Sequence, residues 1–369
     1  MLSLVYGGVS PANGADRTDD IRAQGYSEAA AGWRLLKTGD TSGAALAFSR
    51  ALNLIPGEPS FYVGLGTAYV RLRKEEEAEP LFRRAIELDP NATKAHALLG
   101  DLSARKDEWQ EAIEHYRIAV RLDPNDVSLE SRFRTARQHH GAEAGFDRLY
   151  TAHFVVKFNA RIDRAPAREA ADRLELAYRD IGQRFGYFPA KSTVAVLYPN
   201  RRFQESAMGP EWAGGLFDGI LRMPADNLRH GRAEAERSLR HEYTHALVHE
   251  LAGGNAPAWL SEGLAQVFEG RTVPAANGFI AGDPDTLNRL QLLHGSFADL
   301  TRETAEQAYV DSQSATHALI VRHGMPGVRA LLAALADQPD FDRTFERVLH
   351  ERYRDFEAAW MDTHGERRF

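Results

Sequence analysis

A 34-residue period runs through the first third of the chain and limits what that region can fold into. Pro56, Pro90 and Pro124 recur at that interval, as do Ala51, Ala85 and Ala119. Phe48, Phe82 and Tyr116 form a third column, Ala44, Ala78 and Ala112 a fourth, and Gly32, Gly66 and Gly100 a fifth. Like residues in register at this length predict equal units that each bury an apolar face on the next. The columns suit a pair of helices per unit. Glycine lets the two helices approach, alanine keeps the second helix near its partner, and the aromatic fills the space between pairs. Proline closes the unit, because it lacks an N–H and cannot continue a helix.

These columns resemble the tetratricopeptide repeat, with units over 25–58, 59–92 and 93–126. "VSLESRFRTARQ" reads as a solvating cap helix over 127–138, so the repeat region spans 25–140. The resemblance implies an all-α solenoid whose concave face binds a peptide or protein partner. A purely structural stack fits the same columns. Residues 1–24, which begin "MLSLVYGGVSPANGA", read either as a disordered N-terminus or as the remnant of a signal peptide. They end their apolar stretch in small residues but carry no basic segment ahead of it.

Composition narrows the remaining classes. The net charge of −7 argues against a general nucleic-acid or anionic-membrane binder. No run of eighteen apolar residues exists, so no transmembrane segment is expected. The chain has no cysteine, so a metal would have to be held by His, Asp or Glu. The absence of cysteine says little about compartment; a periplasmic or secreted location is favoured, with the cytoplasm left open.

The pattern changes after the repeats. Residues 141–147, inside "QHHGAEAGFDR", are expected to form a linker, with His139 and His140 solvated beside it. The second domain then covers 148–369. Alternation over 152–160, 192–200 and 214–224 predicts three strands. Helical spacing marks 165–185, a short segment at 201–209, a long helix from about Arg232, and 258–270, 284–293 and 302–323. Strands followed by helices predict an α+β domain with a helical C-terminal part.

The chemistry lies in "RHEYTHALVHE", residues 240–250. His241 and His245 are one helical turn apart, about 40° around the axis, so both face one point. Two imidazoles so placed can share one zinc ion, and Glu242 can act on water in the open position. His249 lies two turns from His241, about 12 Å along the axis, too far to join them. It is expected to be a partly exposed helix residue. A hydrolytic zinc site needs a third protein ligand. Glu262 in "PAWLSEGLAQVFEG" supplies it, on a second helix that starts after Pro257. Trp259 and Leu260 would pack beneath the metal, and Gly263 would let the two helices approach.

His-Glu-x-x-His followed by "WLSEGLA" resembles the gluzincin branch of zinc metallopeptidases. More narrowly, it is similar to the bacterial peptidase MA-like domains found beside tetratricopeptide repeats. The resemblance implies a thermolysin-like fold over the second domain. It also implies one zinc ion on His241, His245 and Glu262, and Glu242 as the general base. It implies an acidic hydrogen-bond partner for a ligand histidine four residues after Glu262, where this chain has Gln266. It implies an oxyanion donor from a later helix, Tyr309 first and His317 second. It implies a substrate-pairing sheet edge at Gly214, Gly215 and Leu216. The acidic residue with which aminopeptidases of this branch hold a substrate N-terminus is not visible, which favours an endopeptidase. The alternative is a peptidase-fold scaffold with little turnover that binds zinc and assembles partners through the repeats.

Overall fold

The computed structural model describes residues 12–159, 164–199, 216–217, 219–229, 231–270, 289–297 and 300–365. The chain divides into two compact units, Met1–Gln138 and His139–Phe369.

The first unit is a solenoid of antiparallel helix pairs. They are α1 (Ala12–Thr38) with α2 (Thr41–Leu54), α3 (Pro59–Arg71) with α4 (Glu75–Leu88), and α5 (Thr93–Arg105) with α6 (Trp109–Leu122). The glycine and aromatic columns are two halves of one contact. A Cβ added at Gly32, Gly66 or Gly100 would stand 2.8, 2.5 or 2.6 Å from the ring of Phe48, Phe82 or Tyr116 respectively. The ring thus lies flush on its partner helix only because that helix has no side chain there. Phe48 also covers Gly64 of the next pair, so this aromatic joins two repeats as well as two helices. Ala44, Ala51, Ala78, Ala85, Ala112 and Ala119 are fully buried, as the column pattern requires. α1 takes in residues 12–24, from the stretch expected to be a disordered N-terminus or a signal-peptide remnant, and extends the first repeat by three turns.

Helix α7 (Val127–Ala142) runs past the expected cap and through the first residues of the expected linker. His139 is therefore helical and buried, not solvated, while His140 is exposed. The chain enters strand β1 (Phe146–Tyr150) after only three more residues, in a segment not expected to be a strand. β1 gains its regularity from pairing with β2 (Phe154–Asn159), a non-local signal.

The second unit is a five-stranded mixed sheet with helices packed on it. After β2 come α8 (Arg164–Phe185), β3 (Thr193–Tyr198), β4 (Leu216–Phe217) and β5 (Leu221–Pro224), in sheet order β1-β2-β3-β5-β4. β2, β3 and β5 are parallel, and the two outer strands are antiparallel to their neighbours. The single strand expected over 214–224 is a short hairpin. Gly219, at φ +103°, makes the turn that splits it. One sheet face buries Phe154, Val156, Phe158, Ala195, Leu197, Leu221 and Met223 in the main core. Two of the alternating residues carry charge. Lys157 and Arg222 pair with the buried Glu143, which also accepts a 2.7 Å hydrogen bond from Tyr198.

The helical part follows: α9 (Arg232–Ala252), α10 (Ala258–Glu269), α11 (Arg289–Leu292), α12 (Arg302–Asp337), α13 (Phe341–Leu349) and α14 (Tyr353–Gly365). The short helix expected at 201–209 and the first part of that expected at 284–293 lie outside the described residues. By length and composition alone, Glu303–Asp337 of α12 is apolar enough to cross a bilayer, contrary to the expectation of no such segment. Its apolar side chains are used otherwise: Ala315, Leu319, Val328, Leu331, Leu332 and Leu335 lie in the main core. Gly324, at φ +69°, breaks its helical geometry midway.

Candidate metal centre

α9 and α10 form an antiparallel hairpin. Gly253 ends α9 in the left-handed conformation, at φ +65°, and Gly254 follows at φ +78°. Pro257 then opens α10, where its missing N–H costs nothing. The backbone N–H groups of Ala258 and Trp259 donate to the carbonyls of His294 and Leu293, which anchors the helix start. Trp259 and Leu260 are fully buried in the core.

This hairpin brings three ligand atoms together. His241 Nε2 and His245 Nε2 lie 3.2 Å apart, and each is 3.5 Å from Glu262 Oε2. These three residues form the one group of candidate ligands found among the described residues. A tetrahedral zinc with bonds of about 2.0–2.1 Å holds its ligand atoms about 3.3 Å apart. Glu262 Oε2 is buried and makes no hydrogen bond. A carboxylate oxygen left so, with two imidazole nitrogens aimed at the same point, fits a divalent cation of the zinc type.

The electrostatics are those of a partly buried charged cluster. Burial opposes charge on Glu262, but His245 and His241 outweigh it and hold its carboxyl well below the usual range. Burial likewise opposes charge on His241, yet the carboxyl groups of Glu262 and Glu269 at its two ring nitrogens, and the nearby Glu242, raise it to about 10. Glu242 is raised, chiefly by burial and with help from Glu262 and Glu269, against the pull of both histidines. It is 7% exposed, so its proton affinity is set by its neighbours rather than by solvent.

Other expected residues fall into three groups. Tyr309 is half-buried beside the cluster. Burial, then the charges of Glu262 and Glu242, push its phenol up, so it stays a hydrogen-bond donor. Its ring packs edge-on against Phe297. His317 is exposed, because the face of α12 turned to α10 belongs to Ser312 and Thr316. It does not join the site as the second-choice donor. His249 is exposed, as expected. Leu216 lies on the edge strand β4, whereas Gly214 and Gly215 lie outside the described residues.

Two expectations about α10 need correction. Gly263 does not serve the α9–α10 approach. A Cβ there would stand 2.1 Å from Thr316 Oγ1 and 2.3 Å from the Ser312 carbonyl, so it admits α12. Gln266 does not accept from a ligand histidine. It lies about 40° around the helix from Glu262, and its Nε2 donates to the Tyr309 carbonyl at 3.0 Å. The histidine Nδ1 atoms meet other partners that sequence reasoning missed: Glu269 Oε2 for His241 and Ser261 Oγ for His245, both at 2.9 Å. Only the seven-residue spacing from Glu262, about 20° from an exact two turns, hinted at Glu269.

Comparison with known proteins concerns the first unit. The tetratricopeptide repeat family model matches residues 29–93 and 63–127. The N-terminal region therefore carries tetratricopeptide repeats. No curated protein matches the chain. Among similar solved structures is the first such domain of Spaghetti (RPAP3) bound to an HSP90 peptide. It is 22% identical over 32% of this chain and 95% of that one, at a TM-score of 0.32. The Arabidopsis OM64 domain is 19% identical over 32% and 98%, at 0.31. The second domain of human RPAP3 in complex with an HSP70 peptide is 23% identical over 32% and 98%, at 0.30.

Proposed function

We propose that the second unit is a zinc-dependent peptidase of the gluzincin type, and that the repeats bind its substrate or a partner protein. One observation carries this reading: three ligand atoms 3.2–3.5 Å apart, with the buried carboxyl of Glu242 beside them. His241, His245 and Glu262 would hold the ion. Zinc, when bound, supplies a Lewis acid that acidifies water and polarises a carbonyl. The chain's own residues do the rest. Glu242 takes a proton from the attacking water at its carboxylate and returns it to the leaving amine. Its raised proton affinity makes it a better acceptor for the water proton, and the protonated carboxyl remains far more acidic than the amine it then protonates. Tyr309, held protonated, donates to the oxygen on which negative charge develops. An extended peptide can add to the sheet at β4, an antiparallel edge strand, by main-chain hydrogen bonds. Adding a strand in this way accommodates residues on both sides of the cleaved bond, which favours endopeptidase action.

The repeats support a protein-binding role through their family alone, since such stacks present a concave surface. A scaffold with little turnover would be favoured by a neutral amide at Gln266 backing a ligand histidine. That side chain is turned to α12, so its identity no longer bears on the ligand histidines.

The test is zinc content and hydrolysis of a peptide library by the wild type, Glu242→Gln and His245→Ala. Stoichiometric zinc with cleavage by the wild type, zinc without cleavage by Glu242→Gln, and loss of both in His245→Ala are expected. A wild type that holds zinc and cleaves no peptide defeats the enzyme reading. A wild type without zinc defeats the metal reading altogether.

A further inference from the structure

We propose that Glu269 is the positioning residue of the metal centre, fixing His241 through its Nδ1–H so that Nε2 faces the ion. This rests on the zinc reading above and adds to it an assignment that the spacing of the motif does not make.

The argument begins with the imidazole. A ligand nitrogen must be free of its proton, so the one hydrogen of a neutral ring has to sit on the other nitrogen. For His241 the converging nitrogen is Nε2, 3.2 Å from His245 Nε2 and 3.5 Å from Glu262 Oε2. The hydrogen then belongs on Nδ1, where Glu269 Oε2 accepts it at 2.9 Å. Glu269 is 7% exposed and sits on the last turn of α10, where Gly270 ends the helix at φ +88°. The contact is thus made by a buried carboxylate, which backs the ring on the side away from Nε2.

The two ligand histidines are therefore backed unequally. His241 is held by an anion and His245 by the neutral hydroxyl of Ser261. An anionic partner increases the electron donation of the imidazole it holds, and a hydroxyl does so much less. His241 is then the stronger of the two ligands. Gln266, at the spacing where the acid was expected, has the separate task of holding the Tyr309 carbonyl. The carboxylate has moved one turn further along α10, and the vacated position ties α10 to α12.

Zinc affinity of the full chain, measured by competition with a chelating dye, tests this on Glu269→Ala, Glu269→Gln, Gln266→Ala and His241→Ala. Glu269→Ala should bind zinc about 10- to 100-fold more weakly. Glu269→Gln keeps the shape and one acceptor without the charge, and should fall between that variant and the wild type. It also decides the matter if Glu269→Ala does not fold. Gln266→Ala should bind zinc as the wild type does. The cobalt(II)-loaded protein should show a shifted d–d absorption in both Glu269 variants and not in Gln266→Ala. If His241→Ala loses zinc while both Glu269 variants bind it as the wild type does, the proposal falls and the peptidase reading stands. If the Glu269 variants lower only the melting temperature of the metal-free protein, the residue is structural and the proposal falls. A wild type that takes up no zinc removes both.

Discussion

At the scale of the residue, the centre depends on which proton each side chain holds. Glu242 is buried and its proton affinity is raised, which suits a base. Replacing it with glutamine should leave zinc content unchanged and lower kcat about 10²- to 10⁴-fold, read on any cleaved peptide. Tyr309 is kept protonated by burial and by two nearby carboxyl groups. Tyr309→Phe should lower kcat about 10²-fold or more with zinc affinity intact. A loss of zinc in that variant would show that the phenol supports the ligands instead. Both residues were legible only in part. The position of Glu242 beside His241 marks it in any reading of the motif. Tyr309 became distinguishable from His317 only when α12 was seen to turn one face to α10.

At the scale of the element, glycine decides how closely helices meet. Gly66 underlies the Phe82 ring, and Gly263 underlies Thr316 and the Ser312 backbone. The two substitutions to alanine differ in what must yield. At Gly66 a ring at 2.5 Å has to shift within a repeat, at about 1–3 kcal/mol. At Gly263 a backbone carbonyl at 2.3 Å has to shift, which moves α10 and the adjoining Glu262 with it. Gly66→Ala should therefore lower repeat stability in urea unfolding and leave zinc uptake alone. Gly263→Ala should weaken zinc binding. The glycine column of the repeats could be read from its 34-residue spacing. The use of Gly263 could not, because its partner lies some fifty residues away in the chain.

At the scale of the whole molecule, the second unit buries charge away from the ligand centre as well, most fully around Glu143. Glu143 joins the end of α7 to β2, β3 and β5 through Lys157, Tyr198 and Arg222. Burial opposes its charge, but Lys157 and the other partners outweigh that and hold its carboxyl below the usual range. A carboxyl depressed in the folded state stabilises fully above its unfolded value and stops doing so as the pH falls through its folded value. Acid should thus unfold the second unit by protonating Glu143 below the ordinary carboxylate range. In Glu143→Gln that part of the pH dependence should be absent from an acid titration followed by near-ultraviolet circular dichroism. Removing zinc should speed amide exchange over 232–270 and leave 59–122 unchanged. The loss of stability would be about 4 kcal/mol where zinc had stood a thousandfold above its Kd.

Local spacing determined much of this protein before any fold was known. The 34-residue columns set the repeats, and a four-residue interval with a glutamate seventeen residues on marked the candidate ligands. Each is periodic information carried by a few neighbouring turns of helix. Tertiary structure alone decided the rest: the β4–β5 hairpin, the strand β1, the exclusion of His317, and the exchange of Gln266 for Glu269 at the His241 ring. These depend on which face one element turns to another, and a hydrogen bond formed through space leaves no fixed interval along the chain.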